Sequence, residues 1–161
     1  MALSRDLEVL KESHLYLPIH GVRERQAGLR ANTYVDVEAL PSDFLITLLT
    51  HEDEFFFQHR GVYGPSLWRA LKTSVKTRKF IGGSSITQQL MKNLFLSPER
   101  SFIRKWKEMK LALAVEKMLS KEQILSLYVS NIEWGRRVYG IKEASQHYFR
   151  KYPNQLGRNE C

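Results

Sequence analysis

The sequence predicts a single, mainly α-helical domain. Three observations support this. Apolar residues recur at three- and four-residue spacings through most of the chain beyond Pro41, residues suited to capping open several of those runs, and Gly and Pro fall between them. At 161 residues, 43% hydrophobic and 11% aromatic, the chain is long and apolar enough for one proper core, and disorder as a whole-chain description is excluded.

Residues 1–32 are polar and mixed in charge, broken by Pro18 and Gly21, and read as a lead-in to a domain spanning 33–161. Thr33 to Val37 is a candidate short extended piece. Pro41-Ser42-Asp43 opens a helix with Ser42 or Asp43 as cap; Phe44, Leu45, Leu48 and Leu49 form its buried stripe, and Glu52 stands at its C-terminal end. Gly61 to Gly64 breaks the chain, Pro65 suits a first helical turn, and Leu67, Trp68, Leu71 and Val75 carry the next helix. Lys76 to Gly83 is basic, ends in glycines and holds Phe80-Ile81, a composition shared by mobile flaps, membrane-touching loops and ordinary surface loops.

Ser84 to Phe95 reads as a helix opening on hydroxyl residues. Ser101 caps a helix running to Leu119, in which Phe102, Trp106, Met109 and Leu113 are spaced for burial and Arg104, Lys105 and Glu108 share the other face. Ser120 to Gln123 is a capping box for a helix through Tyr128. Gly135 and Gly140 bracket a turn, and Ile141 to Phe149 is a last helix with Ala144, Tyr148 and Phe149 packed.

The formal net charge of +8 calls for an anionic partner: nucleic acid, a phosphate-bearing substrate or an anionic membrane surface. The excess is concentrated between Arg69 and Lys110, where only Glu99 and Glu108 oppose the basic residues. The single cysteine, Cys161, permits no disulfide within the chain. No run approaches the roughly 18 to 20 apolar residues of a membrane span, and residues 1–30 lack the apolar centre of a signal peptide. The expectation is a soluble or peripheral chain whose targeting segment, if it works outside the cytoplasm, lies elsewhere.

Two stretches carry chemistry. In Glu52-Asp-Glu-Phe-Phe-Phe-Gln-His59-Arg-Gly61 the chain crosses from acids to aromatics within a few residues. A carboxylate held at such a boundary loses solvation and becomes a candidate general base, although an acidic helix end entering a core would look the same. His59 reads as a hydrogen-bonded structural histidine and Asp53 as structural or a helper to the cleft. The second stretch, Gly82 to Asn93, places hydroxyls, two amides and Lys92 in one helical segment. Such groups cost free energy when buried unpaired, so the cluster points to a polar cleft. Arg104, Lys105 and Glu108 by themselves would pass for a solvated face with an ordinary ion pair.

In order and spacing, these stretches resemble the five motifs of the peptidoglycan glycosyltransferases of family 51, of the monofunctional type, which polymerise lipid II. Glu52-Asp53 with Phe56, His59 and Gly61 match the first and Gly82 to Asn93 the second. Arg104-Lys105 with Glu108 match the third; Lys121, Ile124, Leu125 and Tyr128 the fourth; Gly140, Ala144, Tyr148 and Phe149 the fifth. Ser85 stands where the family usually has threonine, Ser126 replaces a usual glutamate, Ser130 a common asparagine, and Arg136-Arg137 a turn that is often acidic or contains glycine.

The resemblance implies a lysozyme-like helical domain with a smaller membrane-facing lobe. It assigns Glu52 as the base that deprotonates the acceptor 4-hydroxyl and Glu108 as a second essential glutamate. Lys92, Arg100, Arg104 and Lys105 would hold the pyrophosphate, and Ser84, Thr87, Gln88 and Gln89 would line the sugar and phosphate sites. The implied reaction inverts an α-linked donor into a β-1,4-linked glycan strand and releases undecaprenyl pyrophosphate. No cofactor is certain; a divalent cation such as Mg near Glu52 is compatible with the family. Implied partners are lipid II, the growing glycan strand, an anionic membrane surface and other cell-wall synthesis proteins, at the periplasmic or outer face of the cytoplasmic membrane.

Three rival readings remain: a lysozyme-like hydrolase, a turnover-deficient scaffold and a nucleic-acid binder. Phosphate-directed cations have no use in cleaving neutral glycan, which argues for synthesis. The spacing of acids and amides is unexplained by nucleic-acid binding, and no helix-turn-helix or zinc pattern accompanies the basic segment.

Overall fold

The computed structural model describes residues 34–65, 68, 72, 83–96, 99 and 101–161. The lead-in at 1–32, nearly all of the basic 76–83 stretch and most of the helix expected after Pro65 lie outside them. The described chain is mainly helical, as expected of a lysozyme-like domain. Its helices are α1 (Ser42–Glu52), α2 (Ile86–Phe95), α3 (Phe102–Val115), α4 (Lys121–Asn131) and α5 (Gly140–Phe149). A small antiparallel hairpin, β1 (Glu133–Gly135) with β2 (Val138–Tyr139), joins α4 to α5.

Helix α2 is the centre of the packing and lies against both α3 and α4. Its inward residues Ile86, Leu90, Met91 and Leu94 meet Leu111, Ala112 and Val115 of α3 and Ile124, Leu125, Tyr128 and Val129 of α4 in one core, with Phe44 and Leu48 of α1 and Phe56. Each large apolar side chain fully buried there contributes roughly 1.5–3 kcal/mol. Helix α4 is buried on every side from Ile124 to Asn131, including Ser126 and Ser130. Those hydroxyls accept from the backbone of the segment before α1: Val35 N–H donates to Ser130 Oγ at 2.9 Å and Val37 N–H to Ser126 Oγ at 3.1 Å. The expected extended piece at Thr33–Val37 therefore makes no strand. Its donors are satisfied by serines one helical turn apart, and Val37–Ala39 coils into a 3-10 turn. Thr33 itself lies outside the described residues.

The caps at Ser101 and Ser120 form as the sequence suggests, the latter with its full capping box, while the helix expected from Ser84 starts at Ile86 behind a Ser85/Gln88 capping box. Helix α1 differs. Its N-cap is Pro41 with no side-chain cap, and Asp43 acts only as an acid in the first turn. Gly140 has φ +74°, and a Cβ there would sit 2.3 Å from the Ser130 carbonyl oxygen, so only glycine lets α5 start against α4.

Two expectations about inward-facing side chains are corrected. Phe102 and Trp106, expected in the core, are 93% and 57% exposed, and Leu113 is exposed with them. The inward stripe of α3 is instead Glu108, Leu111, Ala112 and Val115, an equally regular three- and four-residue series. On α5, Ala144 is buried, but Tyr148 and Phe149 are exposed. By that last turn the helix has reached the hairpin, and the Tyr148 hydroxyl occupies the space that a Cβ on Gly135 would fill. Trp68 is exposed as well, with Lys72 Nζ 5.2 Å from its ring centroid.

Candidate active site

Glu52 ends α1 and Asp53 is its C-cap; the two neighbouring acids differ in burial. Asp53 is the one that leaves solvent. Its carboxylate accepts from Ile86 N–H at the start of α2 (3.0 Å) and from His59 Nε2 (3.0 Å). An anion is favoured there by the positive end of the α2 dipole. Glu52 stays exposed, so the desolvation expected of it falls on its neighbour. What restrains Glu52 is a hydrogen bond: Gln89 Nε2 on α2 donates to its Oε2 at 2.9 Å. Gln89 Oε1 in turn accepts from the Tyr128 hydroxyl on α4 at 3.2 Å. Burial pushes the Tyr128 phenol above its ordinary value, and the nearby charges of Glu52 and Asp53 push it the same way.

The second half of the site is built by α3. Glu108 faces the interior with its side chain 2% exposed and is held by two basic residues of its own helix, Arg104 and Lys105. Arg104 Nη1 donates to Glu108 Oε2 at 2.9 Å, and Lys105 Nζ donates to Glu108 Oε1 and, at 2.6 Å, to Ser84 Oγ. Arg104 is further fixed by donation from Nε to the Glu99 carbonyl at 2.6 Å. One buried carboxylate thus props up two cations whose side chains are 17% and 26% exposed, leaving the trio with a net positive charge. An ammonium has three donors and a guanidinium five, so each cation has donors left for an incoming anion.

Of the other residues singled out in the sequence, Lys92 is exposed on α2, one turn beyond Gln89. Arg100 lies outside the described residues. Thr87 and Gln88 are fully buried and cannot line an open cleft in this structure. Thr87 Oγ1 donates to Glu116 Oε1 at 2.5 Å, and Gln88 closes the capping box with Ser85. Sequence reasoning missed Glu116, a nearly buried carboxylate that also accepts from Lys121 Nζ at 2.7 Å. It matched Tyr128 to a motif without seeing that its hydroxyl reaches the acidic end of the site. A tyrosine at an otherwise apolar inward position of α4 was the available signal, since a buried phenol needs a partner.

Among the described residues, no group of three or more His, Cys, Asp or Glu could hold a metal ion. Beside Glu52, Asp53 is committed to His59 and the α2 amide, so these side chains do not form a cage for Mg.

The domain is thus helical, with an exposed carboxylate bonded to the central helix and carboxylate-backed cations bonded to the residue two before it begins. The chain belongs to the transglycosylase family, whose model, described as Transglycosylase, matches residues 21–161. Among individual proteins, it is 37% identical over 161 residues to penicillin-binding protein 1A of Escherichia coli (strain K12), covering 96% of this chain and 19% of that protein. It is 38% identical over 140 residues to the biosynthetic peptidoglycan transglycosylase of Thiobacillus denitrificans, covering 86% and 60%. With the monofunctional glycosyltransferase of Staphylococcus epidermidis the identity is 42% over 116 residues, covering 72% and 43%. The chain therefore spans about a fifth of the penicillin-binding protein and about half of the shorter relatives.

Proposed function

We propose that this chain is a peptidoglycan glycosyltransferase domain that polymerises lipid II, with Glu52 as general base. The observation that carries the reading is that both halves of the site are tied to α2 and the residues that lead into it. Glu52 is bonded to Gln89, and Lys105 to Ser84, just before that helix begins. In the proposed step the acceptor 4-hydroxyl oxygen attacks the anomeric carbon of the lipid-linked donor from the face opposite the leaving group. Glu52 takes the hydroxyl proton, the bond from C1 to the pyrophosphate oxygen breaks with its electron pair, and the configuration inverts. Arg104, Lys105 and Lys92 stabilise the charge gathering on the departing undecaprenyl pyrophosphate more than they stabilise the bound donor. Glu108 holds the first two in place. A divalent cation, if used, would need substrate phosphate oxygens to complete its shell, and the base and cation roles stand without it.

Because Lys92 is exposed and supports no packing, Lys92→Ala is expected to weaken use of the lipid-linked donor about tenfold, the scale of one charge-assisted hydrogen bond. Its thermal midpoint should be unchanged. Initial rates against donor concentration check this, and unchanged kinetics would remove Lys92 from the pyrophosphate site.

The partner surface we propose is an anionic bilayer, in keeping with a location at the outer face of the cytoplasmic membrane. Phe102, Ile103, Trp106 and Leu113 lie exposed along one face of α3 together with Lys107 and Lys110, and Lys110 Nζ stacks 3.7 Å from the Trp106 ring centroid. Aromatic and basic side chains in one stripe suit the headgroup boundary of an anionic leaflet. The double variant Phe102→Ser, Trp106→Ser is expected to lose most sedimentation with vesicles containing phosphatidylglycerol while keeping its melting temperature. Full retention of vesicle binding would move the contact elsewhere.

A further inference from the structure

We propose that Tyr128 is a positioning residue for the reaction: through the Gln89 amide it holds Glu52 in the orientation in which one carboxylate oxygen is tied down and the other is left for the acceptor's proton. The inference rests on the reading of Glu52 as the base. Glu52 stands at the last position of its helix, exposed, on a side chain with three rotatable bonds, so packing does not fix it. Among the described residues, the hydrogen bond recorded to its carboxylate is the one from Gln89 to Oε2, and none is recorded to Oε1.

The direction of the chain follows from what each group can do. An ionised carboxylate only accepts, so Gln89 must turn its NH₂ toward Glu52. That puts Gln89 Oε1 against the Tyr128 hydroxyl, which must then donate. The phenol is suited to the task. Tyr128 is fully buried, its ring is fixed in the core between α2 and α4, and burial beside two acids keeps its proton on. Without that hydroxyl, Gln89 Oε1 has no donor, the amide is free to rotate, and the carboxylate samples orientations in which neither oxygen faces the acceptor. A static hydrogen bond 39 residues long in sequence thus couples a core phenol to an exposed base through a single amide.

The test is a kinetic cycle on the complete chain with labelled lipid II in detergent, using Tyr128→Phe, Gln89→Leu and the double variant. Phenylalanine keeps the ring and removes only the hydroxyl. The expected result is kcat lowered about five- to tenfold by Tyr128→Phe, the scale of one hydrogen bond, with KM for the donor unchanged. In the Gln89→Leu background the same change should cost nothing further, because the connection is already cut. Full kcat for Tyr128→Phe, or equal and additive losses in both backgrounds, overturns the positioning role. Should Tyr128→Phe fold poorly, Gln89→Leu alone still decides: unchanged kcat there overturns the proposal. Glu52→Gln, run alongside, separates the two readings. If it retains turnover, the base assignment falls. If it is inactive while Tyr128→Phe is fully active, only the positioning role falls.

Discussion

Glu52→Gln is expected to abolish glycan chain growth from labelled lipid II, lowering turnover by about 10²- to 10⁴-fold, the usual contribution of one well-placed general base. The substitution is mild in every other respect. Glu52 is exposed, and a glutamine oxygen can still accept from Gln89 Nε2, so the local hydrogen bond survives while basicity is lost. Folding, followed by thermal melting, should not change. Polymer formed within a few-fold of the unaltered rate would remove Glu52 as the base and reopen the hydrolase and scaffold readings.

Glu108→Gln is expected to impair turnover severely for a different reason. Its carboxylate is the counter-charge that aligns Arg104 and Lys105, and its neutralisation leaves two cations side by side with no anion between them. Stability should respond asymmetrically. Arg104 and Lys105 retain access to water and can rehydrate once Glu108 is neutral. The buried Glu108 cannot do so when both cations are removed. Arg104→Met with Lys105→Met should therefore destabilise the fold by about 3–5 kcal/mol, the scale of a buried charge stripped of its partners. Glu108→Gln should cost clearly less. Denaturant unfolding of the two variants measures the contrast, and equal losses would show that Glu108 is not held as its burial indicates.

Much of the fold was legible in the sequence, because caps and helical periods are local signals. Ser85, Ser101 and Ser120 announce their helices directly, and the breaks at Gly61 and Gly140 fall where the chain adopts positive φ. Helix α3 shows the limit. Two stripes on it have the same period, one aromatic and one that begins with charge and ends in Leu111, Ala112 and Val115. Periodicity cannot say which faces inward, and the aromatic stripe seemed the obvious core. The inner stripe wins because the lead into α2 brings Ser84 to Lys105 and α2 itself brings apolar partners to Leu111 and Val115. In the site itself, neighbouring acids were visible, but their opposite fates were not. Whether Glu52 or Asp53 turns inward depends on the α2 amide arriving from 33 residues away, which no local pattern encodes.

The ties beside Glu52 also bear on how this protein can change over evolutionary time. Ser85 Oγ donates to the Gly61 carbonyl at 2.5 Å, and Asp53 accepts from Ile86 N–H, so the chain between Gly61 and Ser85 departs from and returns to one clasped point. Because both partners of the clasp lie at the ends of that stretch, changes within it need not disturb the clasp. The carboxylate and cations stay in register while the excursion diversifies, which makes the clasp a natural junction for grafting that segment from one relative into another.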